Sequence, residues 1–270
     1  MTKLGWGTTS TVWLERDLDG WRWHPPRHVT LKIKTNRHYY PDEEAFSREL
    51  RMTQHASGVN RRHVGYQFVR GLRDSFDLDG PEGKHTCMVF ETLKEPLWIL
   101  KKRFVKGVLP DDVLKLVVHM VLQGLKYLHP ECHFIHTEGV AQDETIAPLP
   151  QKHDDIDGNK WTIYLSRNMF GSVQEIGRPV ITDFGLAVRG DEQKYRYYPI
   201  QPDSDSAPEV VLELGWSYSA DIWNLGVLMW DLLQGATATP FQAVQPEGVG
   251  FSYQQHLANI IALFVLRRGT

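Results

Sequence analysis

A charged amine inside an apolar strand is costly unless an anion or a ligand pairs with it. The run Val29-Thr30-Leu31-Lys32-Ile33 contains such an amine. Glu49, within Ser47-Arg48-Glu49-Leu50, lies on the first predicted helix and is the candidate partner. A strand-edge lysine whose head reaches water is the plainer alternative. Upstream runs Leu4-Gly5-Trp6-Gly7-Thr8-Thr9-Ser10-Thr11-Val12. Glycines at 5 and 7 let backbone N–H groups approach a phosphate closely. Ser10 stands where a third glycine often stands, and Val12 follows at the spacing of a nucleotide-covering strand pair. Alone, this is equally a glycine-containing hairpin with no ligand. Farther along, Val180-Ile181-Thr182-Asp183-Phe184-Gly185 reads as an apolar strand delivering a carboxylate at a tight turn. A carboxylate so placed can hold Mg2+ against phosphate oxygens. Ala207-Pro208-Glu209 follows, and Asp221-Ile222-Trp223-Asn224-Leu225-Gly226 then opens an apolar helix.

These positions need a scaffold that gathers them. β-Branched and aromatic residues at 10–14 and 29–33, near the turn signals Asp19-Gly20 and Pro25-Pro26, predict strands. A helix is predicted over 42–55, with Asp42 as cap and acidic Glu43 and Glu44 in the first turn. The apolar run 87–90, after the polar turn 79–84, predicts a buried strand. The character then changes. Pro110-Asp111-Asp112 opens a helix whose Leu116, Met120, Val121, Leu125 and Leu128 recur at helical spacing, and 221–233 is a second apolar helix. The polar stretch 141–159, with Pro148 and Pro150, predicts a loop. A strand-rich part (1–93) thus precedes a helix-rich part (94–270), an α+β organisation of two lobes with a cleft between them.

Hydrophobic residues make up 41% and charged residues 23%, which suits a soluble globular protein and excludes a disordered tail, a collagen-like fibre or a repeat array. With 30 basic and 33 acidic residues the net charge is −3, which argues against nucleic-acid binding by a general positive surface. The two cysteines, Cys87 and Cys132, lack metal-ligand spacing and sit in apolar stretches, so buried thiols in a reducing compartment are expected. The opening residues carry no apolar run of a signal peptide. No uncharged stretch reaches the ~18 residues of a membrane span. The expectation is a soluble monomer of the cytoplasm or nucleus with no direct nucleic-acid or membrane partner.

In order and spacing, the glycine loop, strand lysine, helix glutamate, Asp183-Phe184-Gly185 and Ala207-Pro208-Glu209 resemble the signature set of the eukaryotic protein kinases. The match runs over nearly the whole chain. Lys3-Leu4-Gly5-Trp6-Gly7-Thr8-Thr9-Ser10-Thr11-Val12-Trp13-Leu14 resembles the SR-protein kinases, especially the fungal ones, which phosphorylate Ser in Arg-Ser-rich splicing factors. So do Gly124-Leu125-Lys126-Tyr127-Leu128-His129, Ile135-His136-Thr137 and the run from Trp216 to Gly226. The resemblance implies a bilobal protein-kinase-like fold, strand-rich N-lobe and helical C-lobe, that uses ATP and Mg2+. It implies that Leu4, Gly5, Gly7, Ser10 and Val12 cover the ATP phosphates, and that Lys32, locked by Glu49, holds the α- and β-phosphates. Phe90 would be the gatekeeper, Glu91 to Leu93 the hinge that hydrogen-bonds adenine, and Asp183 a Mg2+ ligand. His136 and Glu209 would be structural, and Asp221 would anchor the catalytic loop from below. An Arg-Ser-rich protein would be the substrate.

The sequence departs from this family at the catalytic loop. Relatives read His-Thr-Asp-Leu-Lys-x-Asp-Asn, where this chain has His136-Thr137-Glu138-Gly139-Val140-Ala141-Gln142-Asp143. Glu138 thus stands at the catalytic base and is one methylene longer. Val140 replaces the lysine that steadies the transferring phosphate. Asp143 replaces the asparagine that takes a second Mg2+, and can still ligate a metal. Asp205-Ser206 stands where Tyr-Arg precedes Ala-Pro-Glu. Relatives continue beyond position 270 with helices that supply a cation for the carboxylate at Glu209, so weak substrate docking and an incomplete C-lobe are expected. Three readings stay open: an active Ser/Thr kinase with a displaced base, a pseudokinase that binds nucleotide or protein without useful transfer, and a truncated product that folds poorly.

Overall fold

The structure, a computed structural model, describes residues 2–7, 9–18, 23, 27–35, 43–81, 83–93, 96–137, 151–156, 159–164, 177–234 and 252–265. Strands β1 (Thr2–Trp6), β2 (Ser10–Arg16) and β3 (His28–Lys34) lead into helix α1 (Glu43–Gly58). A 3-10 turn, Val64–Phe68, then enters the hairpin of β4 (Leu72–Gly80) and β5 (Gly83–Glu91). The rest is mostly helical: α2 (Leu97–Leu100), α3 (Asp111–Leu128), α4 (Pro208–Val211), α5 (Ser219–Gln234) and α6 (Tyr253–Val265). Short strands β6 (Phe134–Ile135) and β9 (Val188–Arg189) pair with each other, as do β7 (Gln151–Ile156) and β8 (Asn159–Tyr164). The architecture is bilobal α+β.

The five-stranded sheet has the order β1-β2-β3-β5-β4, all antiparallel, with β3 at its centre. Strand alternation puts Thr30, Lys32 and Lys34 on one face, and all three are buried. Lys32 lies between Val12 of β2 and Met88 of β5. The centre of the sheet therefore fixes the base of the lysine side chain.

Helix α3 starts after Pro110, with Asp111 and Asp112 in its first turn, where acidic residues complement the helix dipole. Its buried stripe is Leu114, Val117, Val121, Leu125 and Leu128. Leu116, expected in that stripe, is 52% exposed. At about 100° per residue it lies some 200° from Leu114, on the water side. The stripe packs with Phe134, Ile181, Phe184, Leu225 and Leu232 into one core. Lys101 and Asp231 join α2's end to α5 at 2.6 Å.

Two other expectations need correction. The loop expected over 141–159 is in part a hairpin, since β7 and β8 pair from Gln151↔Tyr164 to Ile156↔Asn159. The β-forming run Trp161-Thr162-Ile163-Tyr164 and the turn dipeptide Asp157-Gly158 are its sequence signals. Residues 141–150 lie outside those described, as does the expected cap Asp42. The strand expected before Asp183 is reduced to a single parallel bridge, Val69↔Ile181. That bridge is closed by Ile181 N–H donating to Phe68 O (2.8 Å) and Arg70 N–H donating to Ile181 O (2.9 Å).

Two glycines make this bridge possible by letting the 3-10 turn lie on α3. A Cβ at Gly65 would fall on the Gln123 carbonyl and come within 2.8 Å of Tyr127 Cβ. A Cβ at Gly124 would come within 2.8 Å of Ile181 Cδ1 and 3.1 Å of Phe68 O. Backbone atoms cannot yield as a side chain can. Gly65→Ala should therefore destabilise the chain by about 1–3 kcal/mol. Urea unfolding of both proteins checks this, and an unchanged midpoint would contradict the packing argument.

Candidate active site

Lys32 Nζ lies 2.6 Å from Glu49 Oε1 and 3.2 Å from Asp183 Oδ2. The structure thus gathers a strand lysine, a helix carboxylate and a turn carboxylate from positions 32, 49 and 183. Lys32 is 7% exposed and Glu49 5%. Neither charge is tolerable at that depth without the other. Lys34 joins them, 3.7 Å from Glu49 Oε2 and donating to Phe46 O at 2.7 Å.

Asp183 has φ 63. This left-handed conformation is uncommon for a residue other than glycine and persists only where surroundings impose it. Its Oδ1 accepts from Gly185 N–H at 3.3 Å. Burial opposes its ionisation, but the Lys32 ammonium and the Gly185 N–H outweigh burial and hold the carboxyl below its ordinary value.

Beneath this turn lies Asp221, fully buried on α5. It accepts the backbone N–H of His136 (2.8 Å) and of Thr137 (3.0 Å), and its Oδ2 is 2.8 Å from His129 Nε2. His136 Nε2 in turn meets Thr182 O at 2.7 Å, and its ring stands edge-on to Phe184. Thr137 also has a left-handed φ, 66, and its hydroxyl donates to Leu186 O. The backbone at 136 and 137 is therefore fixed by α5. Glu138 and Asp143, the expected base and second metal ligand, lie outside the described residues.

On the sheet side, Gly7 N–H donates to Ser10 O at 2.8 Å, closing the hairpin between β1 and β2. Leu4 is half-buried on β1, while Ser10 and Val12 are buried on β2. A Cβ at Gly5 would meet nothing within 4 Å, so no packing inside the chain calls for glycine there. Phe90 is 3% exposed, under the Arg70 guanidinium at 4.2 Å. Together with Lys32, Glu49, Asp183 and Phe184, these two line a cavity behind the sheet. After Phe90, Glu91 pairs with Arg27 at 3.2 Å, and Leu93 is half-buried. Thr92 Oγ1 between them is buried with no hydrogen-bond partner among the described residues.

Glu209 stands apart, in the first turn of α4, and accepts from Ser219 Oγ at 2.7 Å. Among the described residues it forms no ion pair. Preceding it, Ser206 is buried and donates to Pro202 O, while Trp223 Nε1 donates to Asp205 O. The site residues that sequence reasoning did not single out are Lys34, Arg70, His129 and the Thr182 carbonyl. Lys34 alone had a usable signal, two positions from Lys32 on the same strand face.

Because Asp183 ionises more readily in the fold, its contribution to stability is present above the ordinary carboxylate value of about 4. It is lost as pH falls through the lowered value. The stability advantage of the chain over Asp183→Asn should therefore shrink as pH is taken from 6 to 3. Denaturant unfolding at several pH values measures it, and a constant difference would refute the pairing with Lys32.

The family described as protein tyrosine and serine/threonine kinase matches residues 166–258. The chain is 36% identical over 241 residues to the serine/threonine protein kinase AFUB_078980 of Aspergillus fumigatus, covering 87% of this chain and 57% of that protein. It is 31% identical over 263 residues to the serine/threonine-protein kinase SRPK of Physarum polycephalum, covering 86% of this chain and 59% of that protein. The chain thus spans under two thirds of the length of both relatives. Its fold matches the crystal structure of the PF14_0431 kinase domain with TM-score 0.68 at 21% identity, over 97% of this chain and 69% of that one. The chain is thus similar in sequence to serine/threonine protein kinases, an SRPK among them, and it has the fold of a kinase domain.

Proposed function

We propose that the chain is an ATP-dependent serine/threonine protein kinase of the SR-protein kinase type, with impaired phosphoryl transfer. The observation that carries this reading is Lys32 Nζ set between Glu49 and Asp183 at 2.6 and 3.2 Å. A lysine so held presents a fixed cation for phosphate oxygens, and Asp183 a hard oxygen donor for Mg2+. Mg2+ bound through one or two carboxylates plus phosphate oxygens needs no all-protein cage. The open space over Gly5 and the orphaned Thr92 Oγ1 suit a ligand lying between the hairpin and the segment after Phe90.

In this reading residues 1–93 form the N-lobe and 94–270 the C-lobe. Leu4, Gly5, Gly7, Ser10 and Val12 cover the phosphates, Lys32 orients them, and Glu49 orients Lys32. Phe90 and Glu91 to Leu93 bound the adenine site. Asp183 and Asp143 hold Mg2+, Glu138 accepts the substrate hydroxyl proton, and His136, Asp221 and Glu209 keep the surrounding backbone in place. ATP, when bound, supplies the γ-phosphoryl group, and Mg2+ offsets its charge. The substrate is an Arg-Ser-rich protein of the cytoplasm or nucleus. No helix among the described residues is long and apolar enough to cross a membrane.

The sequence at the catalytic loop favours a second reading, a pseudokinase that holds nucleotide or a protein partner. Glu138 is one methylene longer than the usual base, and Val140 brings no charge. General-base catalysis is worth ~10²–10⁴ in rate and a preorganised charge roughly a further 10²–10³.

Three measurements test these readings. Mg-ATP at ~100 times its dissociation constant should add about 2.7 kcal/mol of stability. The melting temperature should then rise by roughly 5–10 °C. Lys32→Met should abolish the rise, and no rise in folded wild-type protein would refute nucleotide binding. Phosphopeptide formation from an Arg-Ser peptide should run at least ~10³-fold below a kinase turnover of ~1–100 s⁻¹. Turnover near 1 s⁻¹ would mean that another carboxylate is the base. Glu138→Asp combined with Val140→Lys should gain more than the two single changes added together, since both act on one transition state.

A further inference from the structure

Glu49 has two carboxylate oxygens, and the structure gives each a lysine. Lys32 Nζ takes Oε1 at 2.6 Å, while Lys34 Nζ lies 3.7 Å from Oε2. The second lysine does more than balance charge. Its ammonium donates to the carbonyl of Phe46 at 2.7 Å and stands over the Phe46 ring at 5.5 Å. Phe46 is three residues before Glu49 on α1, on the same helix face. At the other end, Lys34 is in register with Ser10, and its carbonyl oxygen lies 2.9 Å from His85 Nδ1. Only 3% of Lys34 is exposed, so its ammonium is committed to α1 rather than to water.

The division of labour follows from geometry. Lys32 faces both Glu49 and Asp183, so it is shared between the helix and the turn. Lys34 is directed to α1 by a charged hydrogen bond to backbone, which does not depend on the glutamate side chain. We propose that Lys34 is a positioning residue that docks α1 on β3 and thereby keeps Glu49 on Lys32. The exchange part of this proposal stands without the kinase reading; the nucleotide part rests on it.

Hydrogen exchange on the nucleotide-free full chain tests the docking. Lys34→Met keeps the length of the side chain and removes its charge. It should raise exchange of the α1 amides around 46–50 by about tenfold or more, the scale of one lost hydrogen bond to a charged group. Amides of β2 and β5 should exchange as in the wild type, and Lys34→Arg should restore most of the protection. Unchanged α1 exchange in folded Lys34→Met would overturn the proposal. Mg-ATP affinity gives a second readout: Lys34→Met should weaken binding several-fold in the wild-type background and hardly at all in Glu49→Gln, because both act through one carboxylate. Equal losses in the two backgrounds would overturn it. Wild-type protein that binds no Mg-ATP would refute the kinase reading and leave the exchange result to decide this one. Should Lys34→Met not fold, lysine side-chain NMR of the wild type and Glu49→Gln decides. In both, the Lys34 ammonium must exchange its protons far more slowly than a surface lysine because it is bonded to Phe46 O, and surface-like exchange refutes the contact.

Discussion

A carboxylate sealed from water stays in place only if donors surround it, and Asp221 is sealed completely. Its donors are two successive backbone N–H groups, of His136 and Thr137, and the ring of His129 sits on the same oxygen as the first. The bonds therefore fix a backbone, not merely a side chain. His136 cannot turn away, so its ring reaches the Thr182 carbonyl, one residue before Asp183. From there the connection runs through Asp183 to Lys32 and through Lys32 to Glu49. One buried charge on α5 thus governs the direction of two strained residues, Thr137 and Asp183, and through them the lysine of the other lobe.

Helix α1 receives that connection and is held at more than one point. Glu49 and Phe46 meet the two lysines of β3 near its start. Near its end the Tyr127 hydroxyl donates to Ala56 O at 2.7 Å, which ties α1 to α3. Beside it, Arg189 lies 3.2 Å from His55 Nε2. Burial first, and then the neighbouring guanidinium, lower the pKa of His55, so the ring stays neutral. A neutral imidazole can accept from Arg189, and a charged one would repel it. The segment after Asp183 and the helix carrying Glu49 are therefore joined at both the active-site end and the far end. The thiol of Cys132 nearby is pushed up to about 11 by burial, so it is a packing group and not a nucleophile at neutral pH.

The parts of the site legible in the sequence were those where local chemistry and local periodicity agree. Lys32 within an apolar strand and Glu49 on a helix of acidic start are each odd unless paired, and the structure puts them in contact. The ends of α3 and α5 follow from Pro110 and from an apolar run. What the sequence hid depended on tertiary contact. Leu116 suits a helix face as well as Leu114 does, and only the position of the core selects between them. The strand before Asp183 shrinks to one bridge because its neighbour, Val69, leaves a 3-10 turn and not a strand. Lys34 shares a strand face with Lys32 in the sequence, but its contact with Phe46 and Glu49 exists only once α1 covers it. Gly65 and Gly124 carry no signal of their own until the 3-10 turn meets α3.

The cluster at the centre has a consequence for what its presence means. Lys32, Lys34, Glu49 and Asp183 balance to zero charge, and Lys32, Lys34 and Glu49 are almost wholly buried. Removing one member strands the others, a loss that for buried pairs typically costs several kcal/mol. Fold stability alone is therefore reason enough for these residues to stand together, whether or not phosphate is transferred. In the proposed reading their geometry serves nucleotide binding and carries less weight for the transfer step. The transfer step rests on groups of another kind, a base and a cation that act on a developing charge. At those positions the sequence places Glu138 and Val140. Holding a nucleotide and moving its phosphate are thus, in the proposed reading, separable demands. In that reading the first rests on the packed cluster of Lys32, Lys34, Glu49 and Asp183, and the second on two positions of one loop, 138 and 140.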